Sequence, residues 1–265
     1  LVPQAVTTAT PHGKPLYACA TAAWMSAPVL PGASRWSGQA ALSPDGRTVC
    51  LLLRDAQNGA PTLLEKDAAT GGVERALIQG GDAIVPGTVQ YSPDGQWLAF
   101  LREKANGERA LWLLRAGAIG GAAIPVAIGK LGLDAAFSPD SQTLALNVET
   151  DEGPRVELAH CSDGKVTAQL GPGRITQESW HPSGRYLVVT AEDDATGAPQ
   201  LIAVSAKAPL TRQALTRLEE GVLLGGAVSR DGRWAAAALA SGELAFVDLS
   251  AQLFAAQSPA PGGQA

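Results

Sequence analysis

The sequence is poor in the residues that most often announce chemistry. Its 265 residues hold three cysteines, three histidines and one methionine, and only 5% are aromatic. Cys19, Cys50 and Cys161 are odd in number, lack Cys-x-x-Cys spacing and each sits in an apolar run. They read as small buried hydrophobes rather than as a disulfide or metal set. His12, His160 and His181 fall at different levels of the chain's repeats, which argues against a shared metal. No Gly-x-Ser-x-Gly elbow is present, so this chain carries no hydrolase nucleophile of that kind. No glycine-rich phosphate cradle appears, because "GPGR" at 171–174 reads as a connection between strands. "EDDATG" at 192–197 lacks the alternate-residue spacing of a calcium loop. No cofactor is therefore expected.

Positive charge is also short. Twenty Lys and Arg against 25 Asp and Glu leave a net −5, the wrong sign for a nucleic-acid surface. No transmembrane segment is expected, since the charge-free run at 116–129 is 14 residues long and broken by glycines and Pro125. The chain opens at Leu1 and its single methionine is Met25. This leads to the expectation that a preceding segment, a signal peptide among the candidates, has been removed.

The sequence is rich in apolar residues and in one repeated phrase. Hydrophobic residues make up 46% and charged residues 17%, enough for a sizeable core. "LSPDGRTVCL" at 42–51 returns as "YSPDGQWLAF" at 91–100, "FSPDSQTLAL" at 137–146, "WHPSGRYLVV" at 180–189 and "VSRDGRWAAA" at 228–237. Pro44, Pro93, Pro139, Pro182 and Arg230 occupy one slot, at spacings of 49, 46, 43 and 48. A period in the mid-forties is the length of a four-stranded propeller blade. The runs "TVCLLL", "WLAFL", "TLALNV" and "YLVVTA" are short, rich in β-branched, aromatic and leucine residues, and bounded by turn residues, which rejects a helical repeat. In Ser-Pro-Asp-Gly, proline presets φ, aspartate bonds back to the backbone and glycine takes the positive φ that closes a hairpin. Weaker turns are expected where Ser141 replaces the glycine or Arg230 the proline. The turn aspartates are read as caps, not as catalytic groups.

The fold class expected is all-β, a β-propeller of four-stranded antiparallel blades, six in number, with five as the alternative. Residues 1–36 would form an incomplete first blade, 37–258 five repeats and 259–265 a flexible tail.

At these residues, and best at Tyr91-Ser92-Pro93-Asp94-Gly95, the sequence resembles the TolB-like β-propeller repeat family, from about Leu42 to Phe254. The resemblance implies a propeller, and with the missing start it leads to the expectation of a periplasmic or other extracytoplasmic place. Similar blades occur in periplasmic scaffolds, in the gating domains of prolyl-oligopeptidase-like enzymes and in some sugar lyases, and fold alone does not choose among them.

Two candidate sites emerge. Loops joining second to third strands share one face, and two successive repeats place Glu149, Asp151, Glu152, Glu192, Asp193 and Asp194 there, with Arg155 as the only nearby balance. This reads as an acidic docking patch for a basic protein partner, or as a weak cation site. Gln39, Thr88, Asp134, Gln177 and Glu178 enter the first strands and make a polar channel mouth. The expected role is a non-enzymatic protein-binding scaffold. The alternative is a carbohydrate- or peptide-processing enzyme, or the propeller portion of one, acting at that mouth.

Overall fold

A computed structural model describes residues 34–55, 59–70, 75–118, 123–129, 131–176, 179–193, 197–207, 211–219 and 221–250. The three outer strands expected in 1–36 therefore fall outside the described residues, apart from the start of β1, as does the tail. The repeats build five antiparallel meanders. The first sheet is β1 (Ser34–Leu42), β2 (Thr48–Asp55), β3 (Pro61–Asp67) and β4 (Arg75–Gln79). The second holds β5 (Ala83–Ile84), β6 (Gln90–Tyr91), β7 (Trp97–Glu103), β8 (Arg109–Arg115) and β9 (Ile124–Gly129), with β5 and β6 both paired to β7. The third runs β10 (Leu131–Phe137), β11 (Thr143–Thr150), β12 (Gly153–His160) and β13 (Val166–Pro172). The fourth has β14 (Tyr186–Glu192), β15 (Pro199–Ser205) and β16 (Arg212–Ala214), and the fifth β17 (Val222–Val228), β18 (Trp234–Leu239) and β19 (Leu244–Asp248).

Two first strands depart from the expected regular form, and each is patched by a side chain. Pro86 and Gly87 (φ +86°) split β5 from β6. The Thr88 hydroxyl bridges the break, donating to Val85 O at 2.7 Å and accepting from Leu101 N at 3.1 Å. In the fourth sheet the first strand shrinks to the bridges Arg174↔Thr190 and Trp180↔Leu187. There the Asn147 amide of β11 grips Ile175, accepting from its N and donating to its O, both at 2.9 Å.

The turn works as its sequence implies. Ser43, Ser92, Ser138 and Ser229 each donate a hydroxyl to the aspartate two residues on, at 2.5–2.6 Å. The same aspartate oxygen accepts a backbone N–H at 3.0–3.1 Å. Each serine oxygen also accepts the N–H that opens the second strand, at 2.9–3.0 Å. Arg230 leaves this pattern intact. Ser141 takes φ +59° without glycine, is fully buried, and its hydroxyl accepts Asp94 N of the preceding turn at 3.0 Å. That bond offsets the cost of a left-handed non-glycine residue. His181 stands in the serine slot: Nε2 donates to Gly232 O of the next turn at 3.0 Å, and Nδ1 accepts from Ser183 Oγ at 2.7 Å. A carbonyl only accepts, so the ring carries its proton on Nε2. Turn therefore touches turn around one face.

These bonds also set an acid limit. The preceding serine hydroxyl, followed by backbone N–H bonds, holds Asp45, Asp140 and Asp231 below the usual carboxylate range. At Asp94 burial opposes the shift, and the bonds from Ser92, Gln96 and Ser141 outweigh it. A carboxyl depressed in the fold contributes stability above its unfolded pKa, about 3.9, and loses it as pH falls through the folded value. Urea unfolding should thus show stability holding down to about pH 4 and then falling. A Ser92→Ala/Ser138→Ala variant should show a shallower fall. An identical acid slope in that variant would mean the turns do not set the limit.

Between successive sheets lie four apolar clusters. Leu52, Leu63 and Phe100 join the first and second sheets; Leu101, Leu113 and Leu146 the second and third; Leu158, Leu187 and Ile202 the third and fourth; Leu201, Leu239 and Val247 the fourth and fifth. Cys50 and Cys161 are buried free thiols within them, and burial pushes Cys161 up to about 12. On the far face of the fifth sheet Trp234 is 39% exposed, and Leu244 and Phe246 are each 64% exposed. Register sets the three on one side of β18 and β19, opposite the fourth sheet.

Candidate functional site

The tight β11–β12 hairpin is closed by Thr150 Oγ1 donating to Gly153 O at 2.7 Å, which leaves Asp151 and Glu152 exposed at its tip. Glu149, at the end of β11, is not free. Arg174 forks onto it with both guanidinium NH2 groups, Nη2 to Oε2 at 3.2 Å. Arg155 turns instead to Glu157, at 2.9 Å. The patch therefore has a balancing arginine that the sequence spacing did not reveal, and its open charge shifts to Asp151, Glu152, Glu192 and Asp193. Asp194 lies outside the described residues. In the corresponding loop of the second sheet the charges cancel locally, through Lys104–Glu108 and Arg109–Glu103.

Glu192 and Asp193 open onto a cleft of about 350 Å³ between the third and fourth sheets, shared with Pro172, Ile202, Arg212 and Ala214. Asp193 Oδ2 is shielded from solvent and has no hydrogen-bond partner. Arg212 forms no ion pair among the described residues, although it lines the same cleft as the two carboxylates. Its Nη1 lies 3.1 Å from where a Cβ on Gly171 would stand, so the glycine makes room for the guanidinium against β13. Nothing in "TRQALT" signals that Arg212 reaches a neighbouring sheet. A shielded carboxylate oxygen without a donor is costly, and the cleft is open to solvent at the exposed Glu192 and Arg212.

The described residues place the polar channel mouth only in part. Thr88 is buried and spent on the strand break. Asp134 is half-buried on β10 and has a partner of its own. Gln39 sits beside the register shift in β1, and Gln177 and Glu178 lie outside the described residues. The polar contacts found between first-strand segments are others: Gln90 Nε2 donates to Ala135 O at 2.8 Å and Trp180 Nε1 to Ala136 O at 2.9 Å.

A second cleft, of about 490 Å³, lies on the turn face between the first and second sheets. Its buried carboxylate, Glu65, is 3% exposed and fully engaged, accepting the Tyr91 hydroxyl at 2.7 Å and Gly117 N at 3.0 Å. Burial and then that bond push the Tyr91 phenol up. Glu65 locks two sheets together and is not a free ligand. Among the described residues no three His, Cys, Asp or Glu side chains gather in a way that could hold a metal, and no helix is long and apolar enough to cross a membrane.

No protein-family model and no curated protein sequence matches the chain. Solved structures do. TolB from Acinetobacter baumannii is similar at 19% identity and a TM-score of 0.53, over 77% of this chain and 51% of that one, so the chain spans about half of it. A putative TolB from Agrobacterium tumefaciens gives 21% and 0.51, over 75% and 68%. The β-propeller domain of the Trilobed protease from Pyrococcus furiosus gives 14% and 0.56, over 82% and 68%. At such identities the likeness is one of fold: the chain is an all-β protein with a TolB-like β-propeller fold.

Proposed function

We propose that this chain is a non-enzymatic binding scaffold of the bacterial cell envelope, in the periplasm, holding a basic protein partner on the face that carries the β11–β12 and β14–β15 loops. The observation that supports it most is the cleft lined by Glu192, Asp193 and Arg212, in which Arg212 forms no ion pair among the described residues. Charges left unmatched in the free protein and accessible to a partner favour steering and register over chemistry. The likeness to TolB supports the compartment. A second role, as the propeller portion of a peptide-processing enzyme, is favoured by the likeness to a protease propeller. The two separate in a display selection against the intact chain. The scaffold enriches peptides rich in Lys and Arg, lost on Glu192→Gln/Asp193→Asn. Enrichment of neutral peptides indifferent to that change would count against it.

We propose that the ring has six blades. Five sheets leave four described interfaces, and Trp234, Leu244 and Phe246 offer an apolar surface for a fifth. Deleting 1–33 should replace the single cooperative unfolding transition with a broad one and cause aggregation. A monomer with an unchanged melting temperature would make the segment an appendage.

A further inference from the structure

The cleft between the third and fourth sheets presents its opposite charges at a fixed spacing. Glu192 pairs with Pro199, and Arg212 with Val204. The two ends therefore lie five residues apart along β15, about 17 Å at the strand repeat. Arg212 reaches back towards this rim, its Nη1 beside Gly171, next to the Pro172 that lines the cleft. An extended side chain closes the gap between the charged ends to on the order of 10 Å. Pro172, Ile202 and Ala214 make the wall between them apolar. Glu192 and Asp193 put two carboxylates at one end of the cleft.

A ligand matching this site carries a cation and an anion about 10 Å apart, joined by a slim body that tolerates an apolar wall. A single amino acid is too short. An extended peptide of three residues spans about 10 Å between its ends, and the cleft volume of about 350 Å³ accommodates small side chains. Both termini are charged near neutral pH. An α-ammonium offers donors to the carboxylates of Glu192 and Asp193 that line the cleft. An α-carboxylate offers two oxygens to the planar fork of Arg212.

We propose that this cleft binds short peptides of about three residues by both free termini, the ammonium at Asp193 and the carboxylate at Arg212. The site lies within the binding face proposed above and rests on that face being open to ligands. It adds a ligand class that a basic macromolecular partner does not require.

The test titrates the intact chain with tri-alanine, N-acetyl-tri-alanine and tri-alanine amide, by calorimetry or by shifts of backbone amide resonances. Free tri-alanine should bind, and blocking either end should weaken it about tenfold or more, the loss expected for one charge-assisted contact. Asp193→Asn should bind the free and N-acetyl forms alike, and Arg212→Gln the free and amide forms alike, with melting temperatures unchanged in both. This crossed pattern ties each terminus to its residue. No binding at about 10 mM, equal binding of free and blocked forms, or wild-type binding by both variants would each overturn the proposal. Display-selected peptides have a tethered end. If they still depend on Glu192 and Asp193 while tri-alanine fails, the terminus site falls and the binding face stands. If both fail, the face falls too.

Discussion

Glu65→Ala should lower the unfolding free energy by about 3 kcal/mol, because two half-buried donors lose a buried charged acceptor at once. Tyr91 lies on β6 of the second sheet, Gly117 in the turn that follows β8, and Glu65 on β3 of the first sheet. The cavity left beside Tyr91 adds to the loss. Glu65→Gln keeps one acceptor for Gly117 N, and the phenol can rotate to accept from the new amide, so the cost should be nearer 1 kcal/mol. Urea unfolding of the two variants beside wild type checks this. A loss below about 1 kcal/mol for Glu65→Ala would show that water replaces the lock without penalty.

Gly232→Ala should cost about 3 kcal/mol, against about 1 kcal/mol for Gly46→Ala. Both glycines take nearly the same backbone, φ +73° and +71°, so both changes carry the left-handed penalty. They differ in surroundings. A Cβ at 46 meets nothing within 4 Å, whereas one at 232 stands 2.7 Å from His181 Nε2 and 3.3 Å from Pro182. His181 is itself held between Ser183 and Gly232 O. The difference between the two variants thus measures the turn-to-turn contact, and it should shrink in a His181→Ala background. Equal costs at the two positions would mean that the turns stand independently.

Much of the fold was legible because the turn chemistry is local. Ser, Asp and Gly satisfy one another within six residues, so the phrase predicts its own hairpin wherever it occurs, and its period predicts the sheet. The irregular first strands were less legible. Thr88 reads as a polar residue entering a channel, yet its hydroxyl bonds Leu101 N across the sheet, a partner set by register that spacing does not supply. Asn147 likewise looks like one polar residue in an apolar run, and its amide completes the backbone of another sheet. At the candidate site, the loop carboxylates followed from strand alternation. Arg174 and Arg212 did not, because each acts on a neighbouring sheet's residues through a distance in three dimensions. The acidic patch consequently has fewer free carboxylates, and a cation beside them.

The most direct test of the proposed role is the association rate of a display-selected basic peptide, measured by stopped flow across a salt titration. Wild type is compared with Glu192→Gln/Asp193→Asn/Asp194→Asn. Exposed charges act mainly on encounter, so the variant should associate several-fold more slowly at low salt. The gap should narrow as the screening length falls towards about 8 Å, and stability should change by less than about 0.5 kcal/mol. Association at the wild-type rate at every salt concentration would contradict the account.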